Sequence, residues 1–460
     1  MRINIENMLI NKSQSYFLTI CFSFILIFMD AYELFGIPIP WMGMVLLVLP
    51  AFFEIKKSNL TIIKILIGVI IAISIPQIFK FVTEAYTSEE YTYLVLRYFN
   101  IFSFALVLIF SSKFFFENSN ESFLIFLKYF ILIYSLLTIY IYFAQIFDLF
   151  EFERTRENTN MFGESSQSTF WLSQPHRAMS TFREPVFLIT FLFPLILIYF
   201  YFADKNKFLL PFLSGIALGL TRSDYVRLFS IILIIFLALN FIKTKKISTS
   251  YLVIIFSVLI FSTFGFLECN INPSSIDCQK YEEDLQKIND SGEIQIKTNA
   301  TNPVTDLDAD RVEVLLYFFQ SLENIQPHGL INVNLDFQNY SAIEVSEEMY
   351  FTNRTLPKYL LTRYSTQNFG TGNYSVLRFV PNVQNMIIFY TYAFGLVFPA
   401  IFFLTSIHLL VAQKFKIEAI FFLMIVLFFA VSPIEEVNSF YGLLLGFLYQ
   451  ALFKGDNEKI

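Results

Sequence analysis

The stretch "HRAMSTFREPVFLITFLFPLILIYFYF", residues 176–202, decides how this chain folds. From Pro185 to Phe202 it carries no charge. A run of about 20 apolar residues crosses roughly 30 Å of hydrocarbon as a helix. The first part of the stretch sets His176, Arg177, Arg183 and Glu184 directly against that run. Charges at the mouth of an apolar segment cost free energy unless they have partners or a function. Pro185 suits the first turn of a helix, so the charges end where the span begins.

The same pattern recurs along the chain. Its 460 residues are 55% hydrophobic and only 15% charged, with 59 phenylalanines, and the mean hydropathy is +0.57. A soluble domain cannot bury that much apolar surface and keep a solvated shell. The expected fold is an all-α polytopic integral membrane protein. Spans are expected near 15–36, 38–54, 60–80, 92–112, 123–147, 185–203, 208–221, 227–242, 249–267, 384–412, 417–433 and 438–453. That makes about twelve transmembrane helices. The first, "YFLTICFSFILIFM", is longer than a signal-peptide core and no small-residue cleavage site follows it, so an uncleaved span is expected. The seventh and eighth are short and flank a polar break, "TRSDYVRL" (221–228).

Lysine sets the orientation. With the N-terminus cytoplasmic, 15 of the 20 lysines fall inside or at inner span ends, Lys56, Lys57, Lys205, Lys207, Lys243, Lys245, Lys246, Lys414 and Lys416 among them. This follows the positive-inside rule and puts both termini in the cytoplasm. The 12 arginines do the opposite: only Arg2 is inside. Arg97, Arg154, Arg156, Arg177, Arg183, Arg222, Arg227, Arg311, Arg354, Arg363 and Arg378 fall outside or at outer span ends. Orientation alone does not require that split. The guanidinium fork binds phosphate and carboxylate bidentately, which lysine does less well. The outer face therefore reads as built for anions; the alternative is that its arginines neutralise an acidic loop or snorkel to headgroups.

The chain divides into N-terminal spans (1–147), an outer loop with the arginine cluster (148–184), central spans (185–267), a large outer loop (268–381) and C-terminal spans (382–460). The large loop has 16 acidic and 8 basic residues, a net charge of −8. Within it "ADRVEVLLYFFQSLENI" (309–325) shows helical spacing of Val312, Leu315, Leu316, Phe319 and Leu322, with Asp308 or Asp310 as cap. Cys269 and Cys278 lie nine apart in that loop and suit either a disulfide in an oxidising compartment or two free thiols. Cys21 is inside the first span.

No phosphate-binding glycine loop or dinucleotide fingerprint is present, which argues against an ATP-driven transporter on this chain. The three histidines, His176, His328 and His408, show no zinc spacing. No metal, no cofactor and no nucleic-acid partner is expected. "DLDAD" (306–310) holds the Asp-x-Asp pattern some glycosyltransferases use for a metal, but it opens the helix of the loop, where acidic residues favour the positive end of the dipole. "GTG" in 368–375 reads as a turn, and Glu435 and Glu436 as part of a solvated loop.

The cluster at 176–184 carries the functional reading. Arg177 and Arg183 can clamp an anion at the membrane surface, and Glu184 either holds one arginine or acts as a base. A local Arg–Glu pair that merely closes the loop is the plainer reading. The break at 221–228 adds Arg222, Asp224 and Arg227 at a similar depth. Ionisable residues at span ends and breaks are functional candidates. Two arginine sites at one depth suit a lipid-linked anion lying at the interface.

At these residues the chain resembles the bacterial O-antigen polymerase and ligase superfamily, the Wzy and WaaL type. Four features carry the resemblance: the span count with one dominant late outer loop; "RAMSTFREP"; "LTRSDYVRL"; and the order of "DRVEVLLYFFQSLENIQPHGL" and "QNMIIFYTYAFGLVFPAIF". It covers roughly residues 165–410. Two departures stand out. The family's Ser-Arg pair reads Ser223-Asp224, so its arginine must be Arg222 or Arg227. Its His-Asn pair reads Gln384-Asn385, which removes the histidine regarded as catalytic in the ligases and favours a polymerase.

The resemblance implies a GT-C-like fold in the bacterial inner membrane, with the active site facing the periplasm. It implies a metal-independent, inverting glycosyltransferase. The donor is a growing glycan on undecaprenyl pyrophosphate, and the acceptor is one repeat unit on the same lipid. Membrane lipid is a further partner, and there is room for a regulator protein that sets chain length. The acceptor's hydroxyl at the non-reducing end attacks the donor's anomeric carbon, and lipid pyrophosphate leaves. Arg177, Arg183 and Arg222 are then expected on the pyrophosphate, with Arg227 and Arg311 as second choices. Glu184 and His176 are the candidates for general base, and Arg183 belongs to the same catalytic cluster. The competing readings are an O-antigen ligase with the same fold, a flippase for lipid-linked sugars, and a receptor or structural protein. A flippase would be expected to carry charges deep in many spans.

Overall fold

The apolar runs fold as helices because lipid offers the backbone no partner, so each span must close its own hydrogen bonds. The computed structural model describes residues 12–54, 64, 68, 71, 75, 88–117, 120–147, 149–150, 178–203, 208–246, 248–262, 330, 386–432, 434 and 437–457. Among these the chain is helical apart from one two-residue hairpin. The helices are α1 (Lys12–Ile27), α2 (Ile39–Phe53), α3 (Ser88–Glu117), α4 (Asn120–Ile146), α5 (Pro185–Phe202), α6 (Leu209–Gly219), α7 (Asp224–Thr244), α8 (Thr249–Ser262), α9 (Met386–Phe394), α10 (Val397–Ala412), α11 (Ile417–Ala430) and α12 (Ser439–Asn457). Among the described residues four segments are long and apolar enough to cross a membrane: Leu94–Phe115, Asn120–Ala144, Pro185–Phe202 and Tyr225–Thr244. Seven shorter apolar helical segments among the described residues, Ser13–Ile27 to Ser439–Phe453, are 10–17 residues long.

Two expected spans differ in form. The span near 15–36 ends as a helix at Ile27. Beyond it the chain turns through β1 (Glu33–Leu34) and β2 (Ile37–Pro38), an antiparallel pair with Glu33 opposite Pro38. Phe35 (φ 54) and Gly36 (φ 75) make the turn, both left-handed, as a two-residue hairpin requires. The span near 384–412 breaks between α9 and α10 at Gly395, whose φ of 73 cannot continue a right-handed helix. The span near 60–80 falls almost wholly outside the described residues, as do the helix at 309–325, Cys269 and Cys278, "DLDAD", the "GTG" segment and Glu435–Glu436.

Small residues bring two helix pairs together. Gly442 and Gly446 of α12 lie against α3: a Cβ on Gly446 would stand 2.7 Å from the Leu108 carbonyl oxygen and collide with Ser111. Gly215 and Gly219 of α6 lie against α8, where a Cβ would stand 2.5 Å from Ser257 Cβ and 2.9 Å from Phe261 Cβ. Both are glycines four apart, the spacing that lets helix backbones approach in a membrane. Phenylalanine fills the space between helices. Phe28 meets Phe130 and Tyr134 at 4.7 Å and Phe182 at 5.3 Å, and Phe24 meets Phe440 at 5.1 Å. The edge-on pairs among these contribute about 0.5–1.5 kcal/mol each.

The helix at the middle is α5. Its span is 78% buried, against 39% for each of the other three long spans. A helix apolar all round belongs inside a bundle. The charged residues that open α5 therefore sit at the centre of one end of the bundle.

Candidate functional site

Glu184 is the residue before α5, extended at φ −139 and ψ 147, and its carbonyl accepts from Phe187 N–H at 3.2 Å. The strand of chain leading to it, Ala178–Arg183, is stitched on two sides. Ala31 N–H donates to the Thr181 carbonyl at 2.9 Å, and the Thr181 hydroxyl donates to the Phe28 carbonyl. Ala178 N–H donates to the Leu220 carbonyl at 3.1 Å. Phe182 is fully buried and plugs into the aromatic core against Phe28 and Phe191. That plug fixes its neighbour, Arg183.

Arg183 is held by Asp30, 153 residues away in sequence. Arg183 Nε lies 3.0 Å from Asp30 Oδ2, and the Arg183 backbone N–H donates to the same oxygen at 3.3 Å. The guanidinium carbon stands 5.2 Å from the Phe187 ring centroid. The two side chains are 15% and 12% exposed. A planar cation is thus set in one place, largely out of water yet reachable from the bundle end. Fixed, partly desolvated charge acts more strongly on an anion than the same charge in bulk water.

The second arginine segment is the break between α6 and α7. Arg222 adopts φ 52 and donates its N–H to the Gly219 carbonyl at 3.1 Å. Thr221 donates its hydroxyl to the Leu218 carbonyl at 2.6 Å, and Ser223 caps α7 by accepting from Tyr225 N–H at 3.4 Å. Arg222 is half-buried, and Arg227 is exposed in the first turn of α7. The Ala178–Leu220 bond joins this break to the Arg183 segment, so both lie at one end of the bundle. Ser180, at φ 53, and Arg222 are two of the six non-glycine residues in the left-handed region among the described residues. Such conformations concentrate where surrounding structure over-determines the backbone.

His176, Arg177 and Arg311 lie outside the described residues. Of the expected site residues, the structure places Arg183, Glu184, Arg222 and Arg227. It adds two that sequence reasoning did not assign to the site. Asp30 is one; its signal is the first acid past the first apolar run. Arg97 is the other. It lies in α3 at 7% exposure, donates from Nη1 to the Leu330 carbonyl and stands 4.6 Å over the Phe389 ring. It ties α3, α9 and the buried Leu330 together. Its signal is a cation one turn into the apolar window Leu94–Phe115.

The far end of the bundle is different. Lys243, Lys245, Lys246, Lys414 and Lys416 are all exposed there, at the ends of α7 and α10 and the start of α11. Among the described residues no group of three or more His, Cys, Asp or Glu side chains is placed to hold a metal ion. Compared with protein-family models, with curated proteins and with solved structures, the chain matches none.

Proposed function

We propose that the protein is a polymerase of lipid-linked oligosaccharide repeat units in the bacterial inner membrane. About twelve spans would carry it, with both termini cytoplasmic and the arginine end facing the periplasm. The reading rests on the resemblance of residues 165–410 to the Wzy and WaaL type. The observation that carries it is the Asp30–Arg183 arrangement: a guanidinium fixed by a distant carboxylate at the centre of one bundle end.

In this reading the acceptor's terminal hydroxyl attacks the donor's anomeric carbon, and the bond to the pyrophosphate oxygen breaks. The leaving pyrophosphate gains negative charge as that bond lengthens. Arg183 stabilises it without moving, with Arg177 and Arg222 beside it and Arg227 and Arg311 as further contributors. Glu184 or His176 takes the proton from the attacking hydroxyl. Asp30 does not touch substrate; it positions Arg183.

The test is a gel of surface polysaccharide from a deletion strain complemented with wild type or Arg183→Ala. The proposal expects the deletion to collapse the ladder to core bearing one repeat unit, and Arg183→Ala to match the deletion. Bare core with long lipid-linked glycan accumulating would make the protein a ligase instead. An unchanged ladder in the deletion strain would remove both and move the transporter and receptor classes forward.

A further inference from the structure

The hairpin between α1 and α2 is small, and beyond the exposed Glu33 its surface is apolar. Leu34 is 48% exposed, Phe35 93% and Ile37 49%, and Trp41 follows at 43%. Phe35 occupies the tip in a left-handed conformation that glycine or asparagine would take more readily. A bulky apolar residue at that place calls for an apolar environment around it.

Helix length says what that environment is. α1 has 16 residues and α2 has 15. At about 1.5 Å per residue they span about 24 Å and 22 Å, short of a hydrocarbon core of roughly 30 Å. α2 is bounded by Pro38 and Glu54, so the residues just before it lengthen its apolar face, and those just past α1 join them. The exposed apolar stripe of α2, Trp41, Val45, Leu49 and Phe52, runs on into Ile37 and Phe35, and α1 carries its own exposed stripe at Leu18, Phe22 and Ile25. In a chain that spans a bilayer these stripes face acyl chains, and the hairpin continues them.

We infer that the β1–β2 hairpin inserts its tip into the lipid leaflet at the arginine end, and so holds the Asp30–Arg183 pair at the depth of the lipid phosphates. The occupant of the apolar tip is the bilayer itself. Asp30 lies three residues before β1, and the backbone on both sides is bonded: Ile39 N–H to the Tyr32 carbonyl at 3.1 Å, and Ala31 N–H to the Thr181 carbonyl at 2.9 Å. Depth set at the tip is therefore passed to Arg183 by a short, tied piece of chain. Aromatic side chains at this level match the belts by which membrane proteins set their height. The inference needs the chain to span the bilayer and does not depend on the reaction proposed above.

The test is depth. Phe35→Cys is made in a variant whose Cys21, Cys269 and Cys278 are replaced by Ala, spin-labelled, and placed in nanodiscs of phosphatidylethanolamine and phosphatidylglycerol. Relaxation by oxygen, which concentrates in acyl chains, is compared with relaxation by a water-soluble nickel chelate. The expected result is oxygen dominance several-fold above that of a Lys245→Cys control at the other end. Nickel dominance equal to the control overturns the inference. If the cysteine-free variant does not fold, Phe35→Trp in the native chain replaces it. Its added fluorescence over Trp41 and Trp171 is then expected to be quenched by brominated lipid; quenching by aqueous iodide alone overturns the inference. Neither readout uses a sugar substrate, so loss of the polymerase reading leaves the outcome intact.

Discussion

The two ends of this bundle carry cations of the same formal charge, and they treat them in opposite ways. At the lysine end Lys243, Lys245, Lys246, Lys414 and Lys416 are exposed. A lysine there needs only to be charged and on the correct side, which sets orientation during insertion. At the arginine end Arg97 is buried against a carbonyl and an aromatic ring, and Arg183 is bound to a carboxylate brought from the turn after α1. Holding a charge in one place requires close partners, and Asp30 supplies one for Arg183 and the Leu330 carbonyl one for Arg97. The contrast separates exposed ammonium groups from guanidiniums held against named partners, and in the proposed reading the first set orientation and the second bind substrate.

Substitutions sharpen that contrast in order of size. Arg183→Ala has the largest expected effect, about 10²–10³-fold less polymer, the usual cost of removing one fixed donor from developing negative charge. Rates of chain growth from purified lipid-linked repeat units would show it. Asp30→Asn comes next. It keeps shape and an acceptor oxygen but loosens Arg183, and about 10- to 100-fold of the rate should go, in kcat more than KM. An equal fall with Glu184→Gln in place of Asp30→Asn would shift the positioning role to Glu184.

Gly446→Leu tests packing rather than chemistry. The new side chain would run into Ser111 and the Leu108 carbonyl, and overpacking should cost about 1–3 kcal/mol. Thermal unfolding in detergent reads it, with the rate per folded molecule unchanged. The smallest effect belongs to the lysine end. Replacing Lys243, Lys245 and Lys246 by Gln should leave stability within about 0.5 kcal/mol and the polysaccharide ladder intact, provided the protein inserts. A lost ladder with normal insertion would break the division between the two ends.

Much of the helical layout was legible because apolar runs of span length have few other uses. The position of α5 at the centre was not, since its apolar run reads much like those of α4 and α7. Burial on all sides comes from neighbours, not from the run itself. The two helix pairs joined by small residues were written plainly in "GLLLG" and "GIALG", a spacing signal open to a sequence reader. At the site, charges crowded against a span pointed to Arg183, and the polar break pointed to Arg222. Asp30 was hidden because its partner is 153 residues away and nothing local pairs them. Arg97 looked like one more outer arginine until packing placed Leu330 and Phe389 around it.

The most direct measurement replaces the Asp30–Arg183 pair as a unit. Asp30→Leu with Arg183→Met removes both charges together, and apolar replacement of a desolvated ion pair is often neutral for stability. If the pair exists to hold a cation for substrate, this double variant melts near the wild type and makes no polymer beyond one repeat unit. A double variant that is stable and still builds the full ladder would show that the pair only closes the bundle, and would contradict the account.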